Sequence, residues 1–265
     1  LDPVRVNGKV TQVIGLTVES EGPDARIGDV CQIVPANSKD AVLAEVVGFR
    51  GNRLILMPFG ELENIGPGCD VVGTGRQLMV KVGFELLGKV LNGLGEPLDG
   101  SWLPSSMQQY GANRRPDNPL RRPRVLDPLS VGIRAIDGLL TVGKGQRIGI
   151  FSGSGVGKST LLGMIARNTS ADVNVIALIG ERGREVLDFI ERDLGPEGLK
   201  RSVVVVATSD QPALIRMKGA LIATSIAEYF RDRGLDVMLM MDSITRYAMA
   251  LREVGLAIGE PPATR

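Results

Sequence analysis

The sequence predicts an α/β protein in two parts: a small N-terminal β-barrel over residues 1–75, then a domain over residues 76–265 with a mostly parallel sheet flanked by helices. Three observations carry this. Short β-branched or alternating runs, broken by turn residues, fill the first part without a helical period. From about residue 145 the rhythm changes to apolar strand followed by amphipathic helix. The strand runs of that second part are uninterrupted by polar residues, which implies burial on both faces and therefore a parallel sheet between helices.

In the first part, residues 4–13, 16–19, 30–35, 42–49 and 53–57 read as strands. Between them lie Glu21-Gly22-Pro23-Asp24, Ala36-Asn37-Ser38-Lys39-Asp40 and Gly51-Asn52. Five or six such strands close most economically into a barrel, which leaves no exposed edge. A second region begins near Gly73-Thr74-Gly75, with a hairpin around Asn92-Gly93-Leu94-Gly95 and a Pro- and Arg-rich loop over residues 114–128. Residues 146–151 read as a strand, 158–168 as a helix with Leu161, Leu162, Ile165 and Ala166 on one face, and 173–179 as a buried strand. A helix then places Val186, Leu187, Ile190 and Leu194 on one face and ends at Gly195-Pro196. Strand 203–208 follows, then a long helix from Pro212 to before Gly234, strand 237–241 and helix 244–254.

Composition excludes several chemistries. The chain has 265 residues, 43% hydrophobic and 23% charged, with a net charge of +1, so nothing draws it strongly toward nucleic acid or lipid. No apolar run approaches the ~20 residues of a spanning helix. Histidine is absent, which removes histidine triads and histidine-ligated metals, so any general base must be a carboxylate, Lys, Tyr or Cys. Cys31 and Cys69 are too few and too far apart for a disulfide framework or a zinc site.

The positive signal is Ser152-Gly153-Ser154-Gly155-Val156-Gly157-Lys158-Ser159-Thr160, after a strand and opening a helix. That is the setting of a phosphate-binding loop. Its glycines let successive N–H groups point at phosphate oxygens, and the helix N-terminus adds positive potential. Lys158 reaches the β- and γ-phosphates and the Ser159 hydroxyl ligates magnesium, which predicts ATP with Mg²⁺ as the ligand. The strict pattern has Gly where this chain has Ser152, a position needing only a conformation that Ser adopts.

Acids at the carboxyl ends of parallel strands face the ligand crevice. Asp242 ends the strand Met238-Leu239-Met240-Met241, where it serves as a metal-linked acid, a cap for the next helix, or both. Glu181 follows strand 175–179 and, with no histidine present, is the candidate to orient and polarise water; spacing equally allows a turn acid paired with Arg182 or Arg184. Arg246 either projects back toward phosphate or lies on the helix surface.

Together these segments resemble the catalytic-type subunits of rotary ATPases and their export relatives. The resemblance rests on the phosphate loop, Gly180-Glu181-Arg182-Gly183-Arg184-Glu185 and Met241-Asp242-Ser243-Ile244-Thr245-Arg246, with residues 91–100 and 132–141 also typical. It covers essentially the whole chain and is nearest to the flagellar type III export ATPases. The resemblance implies a RecA-like nucleotide domain after the barrel and a helical C-terminal domain that this chain lacks. It implies catalytic roles for Glu181 and Lys158, a metal role for Ser159 and Asp242, and arginines near the phosphates in Arg182 and Arg246. It further implies a homohexamer hydrolysing ATP at its interfaces, peripheral to the inner face of the membrane and not spanning it, with no nucleic-acid partner. Its partners would be a stator-like regulator, export gate and stalk proteins, and chaperone–substrate complexes.

The interface arginine finger and the adenine contact are expected beyond Arg265. A finger supplied in trans is worth ~10³–10⁵ in rate, so these 265 residues alone are expected to hydrolyse ATP poorly and to form no stable hexamer. A rotary ATP synthase or ion-pump subunit and a virulence-branch secretion ATPase share most of this pattern. An RNA translocase fits less well, because residues 1–75 offer only Phe49 and Phe59 for base stacking.

Overall fold

The computed structural model describes residues 7–262 apart from 36–39, 115, 117 and 154. Six strands, β1 (Gly8–Ile14), β2 (Thr17–Glu21), β3 (Asp29–Val34), β4 (Val42–Arg50), β5 (Arg53–Pro58) and β6 (Asp70–Gln77), close into an antiparallel barrel of order β1-β2-β5-β4-β3-β6. Alternation sets which side chains fill it: on β3, Cys31 and Ile33 are buried while Gln32 between them is exposed. Val10, Val18, Ala44, Val46, Leu54, Leu56 and Val71 complete the interior. Gly51, at φ 60°, is one of the two residues that turn β4 into β5, a conformation open to glycine without a steric penalty. The expected strands are all present, with residues 4–6 of the first and 36–39 of the second turn outside the described residues.

Glu19 on β2 is 2% exposed, and its carboxylate is paired with Arg50 and, at 3.4 Å, Arg53, and accepts from Gln12 Nε2 at 2.8 Å. Burial alone would raise the Glu19 pKa; the Gln12 and Arg53 hydrogen bonds and the two arginine charges reverse this and hold it below the ordinary carboxylate value of 4.5.

After the barrel, β7 (Met79–Val82) pairs in a two-stranded sheet with β9 (Gln108–Gly111), and between them β8 (Val90–Asn92) opens the expected tight turn. There the Asn92 Oδ1 accepts from the N–H groups of Leu94 at 2.9 Å and Glu96 at 3.0 Å. Next come β10 (Pro128–Leu129), α1 (Arg134–Leu139) and β11 (Val142–Gly143). The Asp137 carboxylate ties the turn before α1, accepting from Ser130 Oγ and Val131 N at 2.8 Å each and Gly132 N at 3.0 Å. The loop expected over 114–128 is irregular apart from a 3₁₀ turn at Pro119–Arg121 and its last residue, Pro128, which opens β10; residues 115 and 117 lie outside the description.

The nucleotide-type core follows: α2 (Lys158–Asn168), β12 (Val173–Ile179), α3 (Gly183–Asp188), a π-helical turn (Phe189–Leu194), α4 (Gly195–Lys200), β13 (Ser202–Ala207), α5 (Ala213–Arg231), β14 (Val237–Asp242) and α6 (Ile244–Ile258). The sheet is wholly parallel, in the order β14-β12-β13-β8. Every residue of β12 and β13 is buried, as their apolar runs require. Leu162, Ile165 and Ala166 of α2 pack into the same core as Ile176, Leu178, Val204 and Val206.

Three expectations are corrected. Residues 146–151 form no strand; Arg147 and Gly149 leave one face without apolar side chains, Ile148 and Phe151 are exposed, and Ile150 packs against the core. β14 was expected to be buried on both faces, yet Leu239 is 38% exposed, because β14 stands at one edge of the sheet with a single described neighbour. Leu187 points outward and Phe189 takes its place, since Val186, Phe189, Ile190 and Leu194 are the set that shares a helical stripe. Among the described residues no helix is long and apolar enough to cross a membrane.

Candidate active site

The phosphate-loop residues run directly into the N-terminus of α2, with Gly157 at its cap. Gly155 and Gly157 adopt φ of 76° and 91°, and a methyl group on either would meet nothing within 4 Å. The backbone is thus bare and open where an anion would lie. The first helical hydrogen bond runs from Leu161 N–H to the Gly157 carbonyl at 2.9 Å, so the N–H groups of Lys158, Ser159 and Thr160 precede it and have no partner within the helix. Ser152, Gly153, Val156, Ser159 and Thr160 are exposed, and Ser154 lies outside the described residues.

Two strand ends bring the acids to this loop. Leu178 of β12 stands opposite Asp242 of β14, so the carboxyl ends of the two strands lie side by side. Asp242 is buried, and its carboxylate accepts from the ammonium group of Lys158, 84 residues earlier in the chain. Glu181 lies two residues past β12. Its backbone is fixed by Ser209, whose N–H donates to the Glu181 carbonyl at 3.0 Å, and its carboxylate faces Arg246 Nε at 3.3 Å. Burial raises the Glu181 pKa, a hydrogen bond with Glu185 and the negative charge of Asp242 raise it further, and Arg246 and Lys158 only partly offset this; the carboxyl titrates at about 6.

Lys158, Asp242, Glu181 and Arg246 are therefore one charged cluster at the mouth of the phosphate loop. Arg182 is placed elsewhere: it precedes the first turn of α3, its side chain is 63% exposed, and its partner is Glu185 at 3.5 Å. Sequence reasoning missed Glu185 as a neighbour of Glu181; Glu181 precedes α3 and Glu185 lies in its first turn, so no helical spacing signalled the contact. Gly180, whose significance is developed below, was also missed.

As a metal site the donor set is small. No group of three or more His, Cys, Asp or Glu side chains able to hold an ion occurs among the described residues. Asp242 and Ser159 offer one carboxylate and one hydroxyl. Those hard oxygens fit a magnesium ion that takes its remaining ligands from water and phosphate.

Residues 132–265 match the ATP synthase alpha/beta family nucleotide-binding domain, and residues 10–75 match the beta-barrel domain of the same family. The chain belongs to this family. Among the family's named proteins, the flagellum-specific ATP synthase of Bacillus subtilis (strain 168) is 60% identical over the whole chain, which spans 60% of that relative. The flagellum-specific ATP synthase of Treponema pallidum (strain Nichols) is 54% identical, and the whole chain covers 59% of it. A solved structure of the assembled ATPase EscN, from the enteropathogenic E. coli type III secretion system, superposes with a TM-score of 0.88 at 46% identity, covering 97% of this chain and 62% of EscN. EscN has also been solved in complex with its central stalk EscO, with the same TM-score of 0.88. The chain therefore spans about three-fifths of the length of these family members.

Proposed function

We propose that this chain is the barrel and nucleotide-binding part, divided at residues 1–75 and 76–265, of an ATPase that energises type III export of flagellar proteins. The observation that carries the catalytic reading is Glu181: a carboxylate beside the Lys158–Asp242 pair, titrating at about 6. It is ionised at neutral pH yet a stronger base than an ordinary glutamate, as suits a group that polarises water. The loop N–H groups and Lys158 hold the β- and γ-phosphates, and Glu181 accepts a hydrogen bond from the attacking water and turns its lone pair toward the γ-phosphorus. The water oxygen bonds to the γ-phosphorus as the bond to the bridging oxygen breaks, and the water's proton passes to Glu181 and on to the released phosphate, giving ADP and phosphate. Ser159 and Asp242 would hold Mg²⁺, which supplies charge neutralisation on the phosphate oxygens when bound. Arg182 would approach phosphate only if its pairing with Glu185 opened.

The flagellar assignment follows from 60% and 54% identity to two flagellum-specific ATP synthases. By the same reasoning the assembly is a homohexamer with a stalk partner, working in the cytoplasm at the inner face of the membrane. A stator-like regulator, the export gate and chaperone–substrate complexes are its further partners.

Phosphate release from Mg-ATP tests this, in the chain alone and in a chimera completed with the parts of the B. subtilis relative it does not span. The chimera is expected to turn over cooperatively with protein concentration, and the chain alone weakly. Lys158→Ala should abolish nucleotide binding, whereas Glu181→Gln should still bind ATP and lose roughly 10²–10⁴ in kcat. Turnover of Glu181→Gln within threefold of the parent would sink the assignment.

A further inference from the structure

Gly180 differs from the phosphate-loop glycines. Like them it has a positive φ, 73°, but a methyl group there would lie 2.8 Å from Arg246 Cδ, 2.9 Å from its Cβ and 3.4 Å from its Cγ. Real Cβ atoms essentially never approach closer than 3.0 Å, so something must shift. The flexible end of a long side chain would swing aside at little cost. Here the obstructed atoms include the root of the side chain, and Arg246 Cβ is fixed by the backbone of α6, so the start of that helix would have to move.

The start of α6 is tied to the strand ends. Ser243 N–H donates to the Ile179 carbonyl at 3.4 Å, and Ser243 Oγ accepts from the Arg246 N–H at 3.3 Å. Arg246 then lies across the end of β12. Its Nη1 donates to the Gly180 carbonyl and its Nε faces the Glu181 carboxylate. Gly180 is itself held, donating its N–H to the Ala207 carbonyl at 2.6 Å. One guanidinium thus grips both the backbone before Glu181 and the carboxylate of Glu181, and it lies that low only because Gly180 has no side chain.

We propose that Gly180 and Arg246 form a positioning pair: the clearance at Gly180 seats the stem of Arg246, and Arg246 fixes the direction in which the Glu181 carboxylate points. This rests on the reading of Glu181 as the water-polarising group. Arg246 is in this respect a positioning residue as well as a candidate phosphate contact. A misplacement on the order of 1 Å costs about 10²-fold in rate, so the pair matters to turnover while touching nucleotide affinity little.

A double-mutant cycle of Gly180→Ala and Arg246→Gly separates clearance from turn strain. Strain from a positive φ persists whatever stands at 246; the clash with Cδ, Cβ and Cγ does not, because glycine removes all three. In the protein that turns over ATP, each single variant is expected to lower kcat roughly 10- to 100-fold with Mg-ADP affinity within twofold of the parent. The double variant should be no slower than the slower single one. Multiplied effects, or a Gly180→Ala kcat within twofold of the parent, would overturn the proposal. A second readout needs no activity and uses the chain as it is. The Arg246 Nε–H NMR signal, assigned by its disappearance in Arg246→Lys, should move on Glu181→Gln and on Gly180→Ala. A signal indifferent to both would overturn the pairing. Full activity of Glu181→Gln with that signal moving would instead discard the role of Glu181 and leave the pairing intact.

Discussion

A group poised for catalysis is expected to cost stability, and Glu181 allows the cost to be worked out. Its carboxyl is raised from the ordinary 4.5 to about 6 by burial, by Glu185 and by Asp242. A raised acid binds its proton more tightly folded than unfolded, so ionising it favours unfolding. The penalty is absent below about pH 4.5, where both states are protonated. It grows as pH rises through about 6 and is complete above that. At 1.36 kcal/mol per pH unit the rise corresponds to about 2 kcal/mol; solvent screening of a partly exposed group halves this to about 1 kcal/mol.

Glu181→Gln removes the charge and keeps the shape, and the Gln oxygen still accepts from Arg246. The variant should therefore melt higher than the parent at pH 8, by about 2–4 °C for a chain of this size, and at the same temperature at pH 4. The measurement is a pair of thermal melts at each pH, followed by circular dichroism in low salt. A variant that melts lower than the parent at pH 8 would refute the reasoning, since it would mean that the Arg246 pairing outweighs burial and the two neighbouring acids. A gain equal at both pH values would refute it too, because it would have nothing to do with ionisation.

Three further outcomes are expected. Gly163→Ala in α2 adds about 1 kcal/mol of helix propensity, but the new methyl would sit 2.5 Å from the Asp193 carbonyl oxygen, a backbone atom. Overpacking of that kind costs about 1–3 kcal/mol, so the urea midpoint should fall; a rise would show that the π-helical turn yields freely. In the barrel, Glu19 is held below 4.5, so its contribution is present at neutral pH and lost as pH falls through its lowered value. Glu19→Gln should therefore lower stability at pH 7 and flatten its decline in acid, measured as urea midpoints from pH 7 to 3. Asp137→Ala frees the N–H of Val131, whose hydrogen exchange should speed at least tenfold while that of β12 stays unchanged; the Gly132 N–H keeps its bond to Ser130 Oγ and should speed less.

What could be read from the sequence was what is encoded locally. The phosphate loop is one continuous segment whose glycines, lysine and hydroxyls declare their role by order alone, and β12 and β13 announce burial by apolar runs long enough to leave no ambiguity. The strand expected over 146–151 failed for a related reason. Ile148 and Ile150 would share one face of such a strand, but Arg147 and Gly149 leave the other without the apolar side chains that a strand buried on both faces requires. Leu187 is adjacent to Val186 in the chain and so turns about 100° away from it on the helix, whereas Phe189 and Ile190, three and four residues on, return to the buried stripe.

The site proper lies at the other limit. Spacing left Glu181 undecided between a turn acid and a base, and nothing nearby in the chain could settle it. Its direction depends on Arg246 from α6, and its raised pKa on burial first, then on Glu185 and on Asp242, which stands beside β12 only through the parallel register of β14. Gly180 shows the same dependence most sharply. Read locally it is a glycine at the end of a strand, fully explained by its positive φ. Its second property, the space it leaves for a side chain 66 residues away, exists only once α6 has been placed. On the proposed reading of Glu181, the water-polarising carboxylate is thus assembled from a short motif that names the residue and a distant helix that aims it. Substitutions at Gly180 and Arg246 should therefore disturb the aim while leaving the motif, and the binding of nucleotide to it, in place.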